Sequence, residues 1–297
     1  MKFAAIDIGS NAIRLLIEES VVKSTEDFYF KKIALTRIPL RLGKDVFSSG
    51  KIKDKTIGKL IKAFKAFKLL MEINEVDHYR ACATSAMREA NNSKEVCNKL
   101  RQETGIDLEI ISGKDEAKLI FSNFHITSLD QEYNYIFIDV GGGSTELSLI
   151  NSGEKIAAKS FKIGSVRQIS GRDTELVKTD MKKWLDDFVS KDKKITAIGT
   201  GGSINKLYNL VQHNLQAPMS YDSLNDLLKL ISSYSYEDRI RVLKLKPDRA
   251  DVIIPSGEIY KLVMESTNAK KIIVPKVGLT DGIIYNLFMD KELLNYK

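Results

Sequence analysis

Cysteine and histidine are scarce in this sequence: two of the first and three of the second in 297 residues. Cys82 and Cys97 lack the spacing of metal ligands and the histidines are scattered, so neither a zinc centre nor a phosphohistidine intermediate is indicated. So few cysteines also fit a reduced compartment better than a disulfide-stapled domain. Long apolar runs are missing too. No stretch reaches the length needed to cross a bilayer, and the N-terminus passes directly into a strand, so a cytoplasmic chain without a signal peptide is expected. Proline is rare, at five, and no linker or low-complexity tract interrupts the chain; with 29% charged residues this argues against disorder. The Walker-loop spacing and the dinucleotide-binding glycine fingerprint are both absent.

What the chain does hold is apolar material for two cores. Hydrophobic residues make up 43% of it, and its length exceeds one typical domain, so two lobes are expected. The net charge of +7 and a pI near 9.1 point weakly to a polyanionic ligand.

The chain is organised around Tyr135 to Ile150, where two β-branched-rich runs flank Gly141, Gly142 and Gly143 and so read as a hairpin. Asp139 ends the first strand and Glu146 opens the second. Glycines let a backbone approach a ligand and aim N–H groups at an anion. Carboxylates beside such a turn would repel a bare phosphate, and make sense if a hydrated divalent cation lies between. The alternative is an ordinary turn with solvated acids. A second copy favours the first reading: Phe3 to Ile17 also ends an apolar strand in Asp-x-Gly, with Asp7 and Gly9, and turns into another apolar strand. One such hairpin per half, facing across a cleft, is the layout of actin-like phosphate enzymes.

Between and after the hairpins, strands and helices alternate. Phe28 to Leu42 is predicted extended. Lys55 to Ile73 has helical spacing, with Lys55, Lys59, Lys62 and Lys65 on its polar face. A strand from Tyr79 to Thr84 leads to Ser85 and Arg88, which suit a phosphate path or, more plainly, a capped turn and a surface cation. Asn92 to Thr104 is predicted as a helix capped by Asn92 and stopped at Gly105, and Asp107 to Ile111 as a strand. Ser112 and Asp115 have capping-box spacing, which explains Asp115 and leaves Glu116 as a candidate cleft residue. Further on come strands over 155–162, 194–198 and 271–275, and helices over 175–189, 223–232 and 236–243; Lys246 to Asp251 then leads into an apolar helix through Met264, and a last helix opens at 279. The strand at 194–198, the loop Gly199-Thr200-Gly201-Gly202-Ser203 and a helix from Ile204 form an anion-binding arrangement.

These stretches resemble the exopolyphosphatase and guanosine pentaphosphate phosphohydrolase (Ppx/GppA) family in its short two-domain form. The resemblance rests on Ile6 to Asn11 with Arg14, Ala83 to Ala90, Ile111 to Phe121, Asp139 to Glu146, Gly199 to Ser203, Arg249-Ala250-Asp251 and Asp281-Gly282. It implies an α/β fold of two actin-like (ribonuclease H-like, ASKHA superfamily) lobes around a central cleft, 1–122 and 123–297, with a terminal helix at about 281–290 that packs back on the first lobe. It implies release of terminal orthophosphate from polyphosphate or guanosine pentaphosphate. Glu116, Asp139 and Glu146 would be catalytic, and Asp7, Asp139 and Glu146 would bind metal. Phosphate would be bound by Ser10, Asn11, Arg14, Ser85, Arg88, Gly141, Gly142, Gly143, Ser144, Thr145, Gly201, Gly202, Ser203 and Arg249. Mg²⁺ is the implied cofactor, with Mn²⁺ as substitute and K⁺ as a stimulant. A homodimer is implied, with neither nucleic acid nor membrane as partner. The alternatives are a small-molecule kinase of the same superfamily and a non-catalytic sensor of guanosine tetra- or pentaphosphate.

Overall fold

Residues 1–24, 27–122, 133–189, 194–211 and 217–291 are described in the computed structural model. They form two compact units, Met1–Asn123 with Gly278–Lys297, and Phe124–Val277. The second unit thus ends at Val277, and the terminal helix is part of the first.

In the first unit, β1 (Lys2–Ile8) is buried from Phe3 to Ile8. Its nearly unbroken apolar run is what a strand covered on both faces requires. Strands β2 (Ile13–Val22) and β3 (Phe28–Ile38) continue antiparallel on one side; β4 (His78–Ala83) and the short β5 (Glu109–Ile110) run parallel on the other. The order is β3-β2-β1-β4-β5. Helices α1 (Leu42–Ser49), α2 (Asp54–Ile73), α3 (Ser85–Glu89), α4 (Ser93–Thr104) and α5 (Gly113–Phe121) fill the connections. Helix α2 buries Ile57, Leu60, Phe64 and Phe67 of the predicted stripe, leaves its fifth member Ile61 half-buried and buries Met71 as well, and Lys65 on its exposed face pairs with Glu103. Towards the C-terminus a further helix, Leu279–Lys291, covers the sheet: its buried Phe288 meets Phe3, Phe28 and Phe30.

The second unit repeats the plan. Strands β6 (Asn134–Val140), β7 (Thr145–Asn151) and β8 (Glu154–Phe161) form an antiparallel meander. Parallel to β6 run β9 (Ile195–Thr200) and then β11 (Lys271–Ile273), with β10 (Met219–Ser220) antiparallel at the edge. The order is β10-β11-β9-β6-β7-β8. Helices α6 (Ser165–Ile169), α7 (Glu175–Phe188), α8 (Gly202–Val211), α9 (Tyr221–Ser233), α10 (Tyr236–Arg241), α11 (Pro247–Ala250) and α12 (Ile253–Ser266) precede the terminal helix, α13. Ile136, Ile138, Leu147 and Leu149 alternate into a core shared with Leu185, Leu207 and Val263. In both units a three-strand meander joins parallel strands added through helical crossovers, so the fold is the expected α/β fold of two actin-like units. Among the described residues no helix is long and apolar enough to cross a membrane.

Three local expectations give way to tertiary contacts. The extended stretch predicted to reach Leu42 stops at Ile38, and helix α1 follows from an Arg41 in the left-handed region (φ 58°). Asn92 does not cap α4: its amide instead closes both backbone groups of Ile52, at 3.0 and 2.9 Å. Helix α8 begins at Gly202, so Gly202 and Ser203 belong to its first turn rather than to the loop before it.

Candidate active site

The two hairpins match residue for residue. Asp7 is sixth in the seven-residue β1, and Asp139 is sixth in the seven-residue β6. Directly across from them lie Arg14 on β2 and Glu146 on β7. On the other side, the parallel strands place Cys82 beside Asp7 and Thr200 beside Asp139.

In the first unit the acid meets a base. Asp7 is 3% exposed and forms an ion pair with Arg14. Burial raises the Asp7 pKa above its ordinary value, and the guanidinium opposes the shift. Ser10 and Asn11, in the turn, accept backbone hydrogen bonds at their carbonyls from Gly43 (2.8 Å) and Arg41 (3.0 Å), so the start of α1 braces the hairpin. Ser10 Oγ is buried and has no hydrogen-bond partner among the described residues. Strand β4 ends beside β1, with Thr84 N–H donating to the Ile8 carbonyl at 3.1 Å, and α3 starts there. Ser85 opens that helix and its hydroxyl donates to Glu89 (3.4 Å). Arg88 closes on α5: its Nη1 donates to the Ile111 carbonyl (2.7 Å) and to Glu116 Oε2 (3.3 Å). Ser112 caps α5 by accepting from Asp115 N–H at 3.1 Å. Asp115 is exposed, while Glu116 is buried at 6% exposure. The Cys82 thiol is pushed up to about 12, chiefly by burial; Arg80 lowers it, and the charges of Glu109, Asp7 and Glu116 raise it.

In the second unit the acid meets an acid. Asp139 and Glu146 are cross-strand partners, an arrangement that repels unless a cation or donors offset it. Donors are present: Thr200 Oγ1 gives Asp139 a 2.5 Å hydrogen bond, and Ser160 Oγ gives Glu146 one of 2.8 Å. Gly141, Gly142, Gly143 and Ser144 form the turn, closed by Gly141 N–H to the Ser144 carbonyl at 3.0 Å. Thr145 is buried and its hydroxyl donates to the Ile163 carbonyl (2.7 Å). At the start of α8, just after β9, Arg249 from α11 lies against Gly202. A Cβ at that position would come 2.1 Å from Arg249 Nη2, so only glycine admits the guanidinium there. The structure thus gathers Gly201, Gly202, Ser203 and Arg249 at one end of β9, beside Asp139.

Sequence reasoning missed the backing of the triple-glycine turn. The amides of Val166 and Arg167 donate to the Gly142 carbonyl at 2.8 and 2.9 Å, and buried Arg167 donates through Nε to Gly143 at 2.7 Å. A Cβ on Gly164 would stand 2.6 Å from Gly142 C and Gly143 N. The only local hint was glycine in Ile163-Gly164-Ser165. Tyr260, buried in α12, was missed as well.

A metal can be weighed against these residues. No group of three or more His, Cys, Asp or Glu side chains among the described residues is placed to hold an ion unaided. Mg²⁺ asks less, since it is commonly bound by one or two carboxylates with water and substrate phosphates. Asp139 and Glu146 fit that demand, whereas Asp7 is paired with an arginine.

Comparison with known proteins gives the family. Exopolyphosphatase 1 of Mycobacterium leprae is 27% identical over 308 residues, covering 96% of this chain and 88% of that protein. The guanosine-5'-triphosphate,3'-diphosphate pyrophosphatase of Aeromonas salmonicida is 24% identical over 300 residues; the match spans 96% of this chain but 59% of that one. The crystal structure of an exopolyphosphatase from Cytophaga hutchinsonii superposes with a TM-score of 0.88, at 22% identity and 99% coverage of both chains, and so shares the fold. The family model of the Ppx/GppA phosphatases matches residues 20–291, most of the sequence, and the chain belongs to the Ppx/GppA phosphatase family.

Proposed function

We propose that the chain is a phosphoanhydride hydrolase that releases terminal orthophosphate from inorganic polyphosphate, from guanosine pentaphosphate, or from both. The observation that carries this reading is the facing pair Asp139 and Glu146, set beside a glycine loop that admits the Arg249 guanidinium. Two carboxylates so placed suit a divalent cation, and a guanidinium with loop amides suits phosphoryl oxygens. The names of the Mycobacterium and Aeromonas relatives point to the same two substrates.

In this reading Asp139 and Glu146 would hold Mg²⁺, or Mn²⁺ in its place, and the cation would supply charge neutralisation at the phosphoryl group, with K⁺ as a stimulant. Asp7 could serve as a metal ligand only by exchanging Arg14 for the cation. Arg14 and Arg249 pair with phosphate oxygens, helped by Ser10, Asn11, Ser85 and the amides of Gly141 to Thr145 and Gly201 to Ser203. The Ser10 hydroxyl, buried without a partner among the described residues, is suited to donate to such an oxygen. Glu116 orients the attacking water, and Arg88 holds its carboxylate in one direction. A loose phosphoryl-transfer transition state needs little proton abstraction beforehand, so orientation is the larger part of that role. The protein works as a cytoplasmic homodimer.

Orthophosphate release from each substrate, with and without Mg²⁺, tests the reading. Glu116→Gln should keep substrate binding and lose roughly 10²–10⁴-fold in kcat. A folded parent that releases no phosphate from either substrate, or a glutamine variant at parental kcat, overturns it.

A further inference from the structure

Tyr260 lies in the middle of α12, fully buried, on a helix whose neighbouring Ile259, Val263 and Met264 are ordinary core residues. A buried tyrosine needs partners for its hydroxyl. It has two here, and both are backbone groups of the candidate site. The hydroxyl accepts from the Val140 N–H at 3.3 Å and donates to the Thr200 carbonyl. Val140 follows Asp139, and Thr200 both precedes Gly201 and donates its own hydroxyl to Asp139.

The place of this contact in the sheet gives it meaning. The parallel register of β6 and β9 runs from Asn134 opposite Ile195 to Asp139 opposite Thr200, and stops there. Beyond that pair β6 turns into the three glycines and β9 into Gly201 and Gly202. At such a parting the two strands no longer hold each other, and the Tyr260 hydroxyl bridges them. The tyrosine also senses both charged groups of the site. Burial raises its pKa well above the ordinary value, the Asp139 charge adds to the rise, and Arg249 opposes it, so the hydroxyl keeps its proton as a donor.

We propose that Tyr260 is a positioning residue for phosphate release: its hydroxyl sets the spacing between the Asp139 carboxylate and the Gly201–Ser203 turn that opens α8, so that cation and phosphoryl oxygens would be held at one distance. This rests on the hydrolase reading above. Nothing in the local sequence marks Tyr260, since a phenylalanine would pack equally well.

Tyr260→Phe keeps the ring and removes the bridge. The expected result is a fall in kcat on the order of 10–100-fold, the scale of a small misplacement. KM for polyphosphate should stay near parental, while the Mg²⁺ concentration for half-activity rises severalfold. Val263→Ala, one turn on in the same core, is the control: it should lower Tm at least as much and leave kcat and the Mg²⁺ requirement unchanged. Calorimetric titration of Mg²⁺ with an imidophosphate chain that resists hydrolysis gives a reading independent of turnover, and at reduced temperature it serves even if the phenylalanine variant is unstable at assay temperature. Weaker Mg²⁺ binding in Tyr260→Phe alone supports the proposal. A phenylalanine variant that loses Tm but keeps parental kcat and Mg²⁺ affinity overturns it and leaves Tyr260 as packing. If the parent hydrolyses neither substrate, the hydrolase reading falls, and the calorimetric comparison alone decides the role of Tyr260.

Discussion

Raising the pH from about 5 to about 8 should destabilise the first unit through a single carboxyl group. Glu18 on β2 is 6% exposed. The groups facing it are Lys32 from β3, Asp281 from α13 and the apolar Phe3 from β1. Lys32 Nζ stands 3.9 Å from Glu18 Oε1 and 3.9 Å from Asp281 Oδ1, so one ammonium serves a buried acid and a half-buried one. Asp281 is further committed, accepting from Gly278 N–H at 2.9 Å and from the Thr280 hydroxyl at 3.2 Å. Burial first, and the Asp281 charge second, push Glu18 up from 4.5 to about 7, with Lys32 opposing in part.

The sign follows from proton counting. Below the unfolded value both states of Glu18 are protonated and the folded protein bears no penalty. Between the two values the folded state holds a proton that the unfolded state has released, so stability declines with rising pH and levels off above about 7. The shift from 4.5 to about 7, at roughly 1.4 kcal/mol per pH unit, amounts to about 3 kcal/mol. Glu18→Gln keeps the shape and removes the charge. Urea denaturation of parent and variant at stepped pH isolates this one group from all others that titrate. The two should coincide at low pH, and the variant should gain on the parent through the window. A difference curve that is flat, or that slopes the other way, refutes the reasoning.

Three other outcomes are expected. Gly282→Ala would place a Cβ 1.9 Å from the Leu119 carbonyl oxygen, so α13 and α5 must part; a Tm loss equivalent to about 1–3 kcal/mol or more, with lower kcat because α5 carries Glu116, is expected, and a parental Tm would deny the contact. Arg167→Met keeps the stem and removes the donor to Gly143, which should cost about 1–3 kcal/mol of stability and raise KM; thermal melts and kinetics that match the parent would show the glycine turn needs no such backing. Asp139→Asn should raise the Mg²⁺ concentration for half-activity, and chelation should abolish turnover of the parent; full activity in excess EDTA, with metal removal verified, would sink the cation's role.

What could be read in the sequence was what neighbouring residues decide. Both hairpins, the Ser112 cap and the apolar stripe of α2 depend on spacings of a few residues, and the structure has them all. The misses were settled at a distance. Asn92 had the right chemistry for a cap, but two hydrogen bonds to Ile52, 40 residues away, outcompete it. Helix α1 lacks any side-chain cap, and its start is set by backbone bonds to the turn at Ser10 and Asn11, which local propensity does not encode. Tyr260 reaches Val140 across 120 residues, so its function lies in a contact and not in a motif. The glycines at 164, 202 and 282 were visible as glycines, but the groups that require them were not.

The two hairpins share a register and differ in charge, and that difference assigns their work. With the same side chain opposite each aspartate, both hairpins would draw the same ligand. Instead Arg14 stands where Glu146 stands, so the first pair sums to zero and the second to two negative charges. A divalent cation cancels the second pair; at the first it would have to displace a guanidinium already in contact with a buried carboxylate, forfeiting a charge-assisted hydrogen bond. The anion follows the opposite preference. Phosphate can compete with Asp7 for Arg14, gaining the bidentate fork that arginine offers, but beside Asp139 and Glu146 it needs the cation first. Under the proposed function, the different residue at one matched register position suits the first hairpin to an anion and the second to a cation. In that reading, acids at both positions would leave no arginine for phosphate at the first hairpin, and arginines at both would leave no carboxylate pair for a cation at the second.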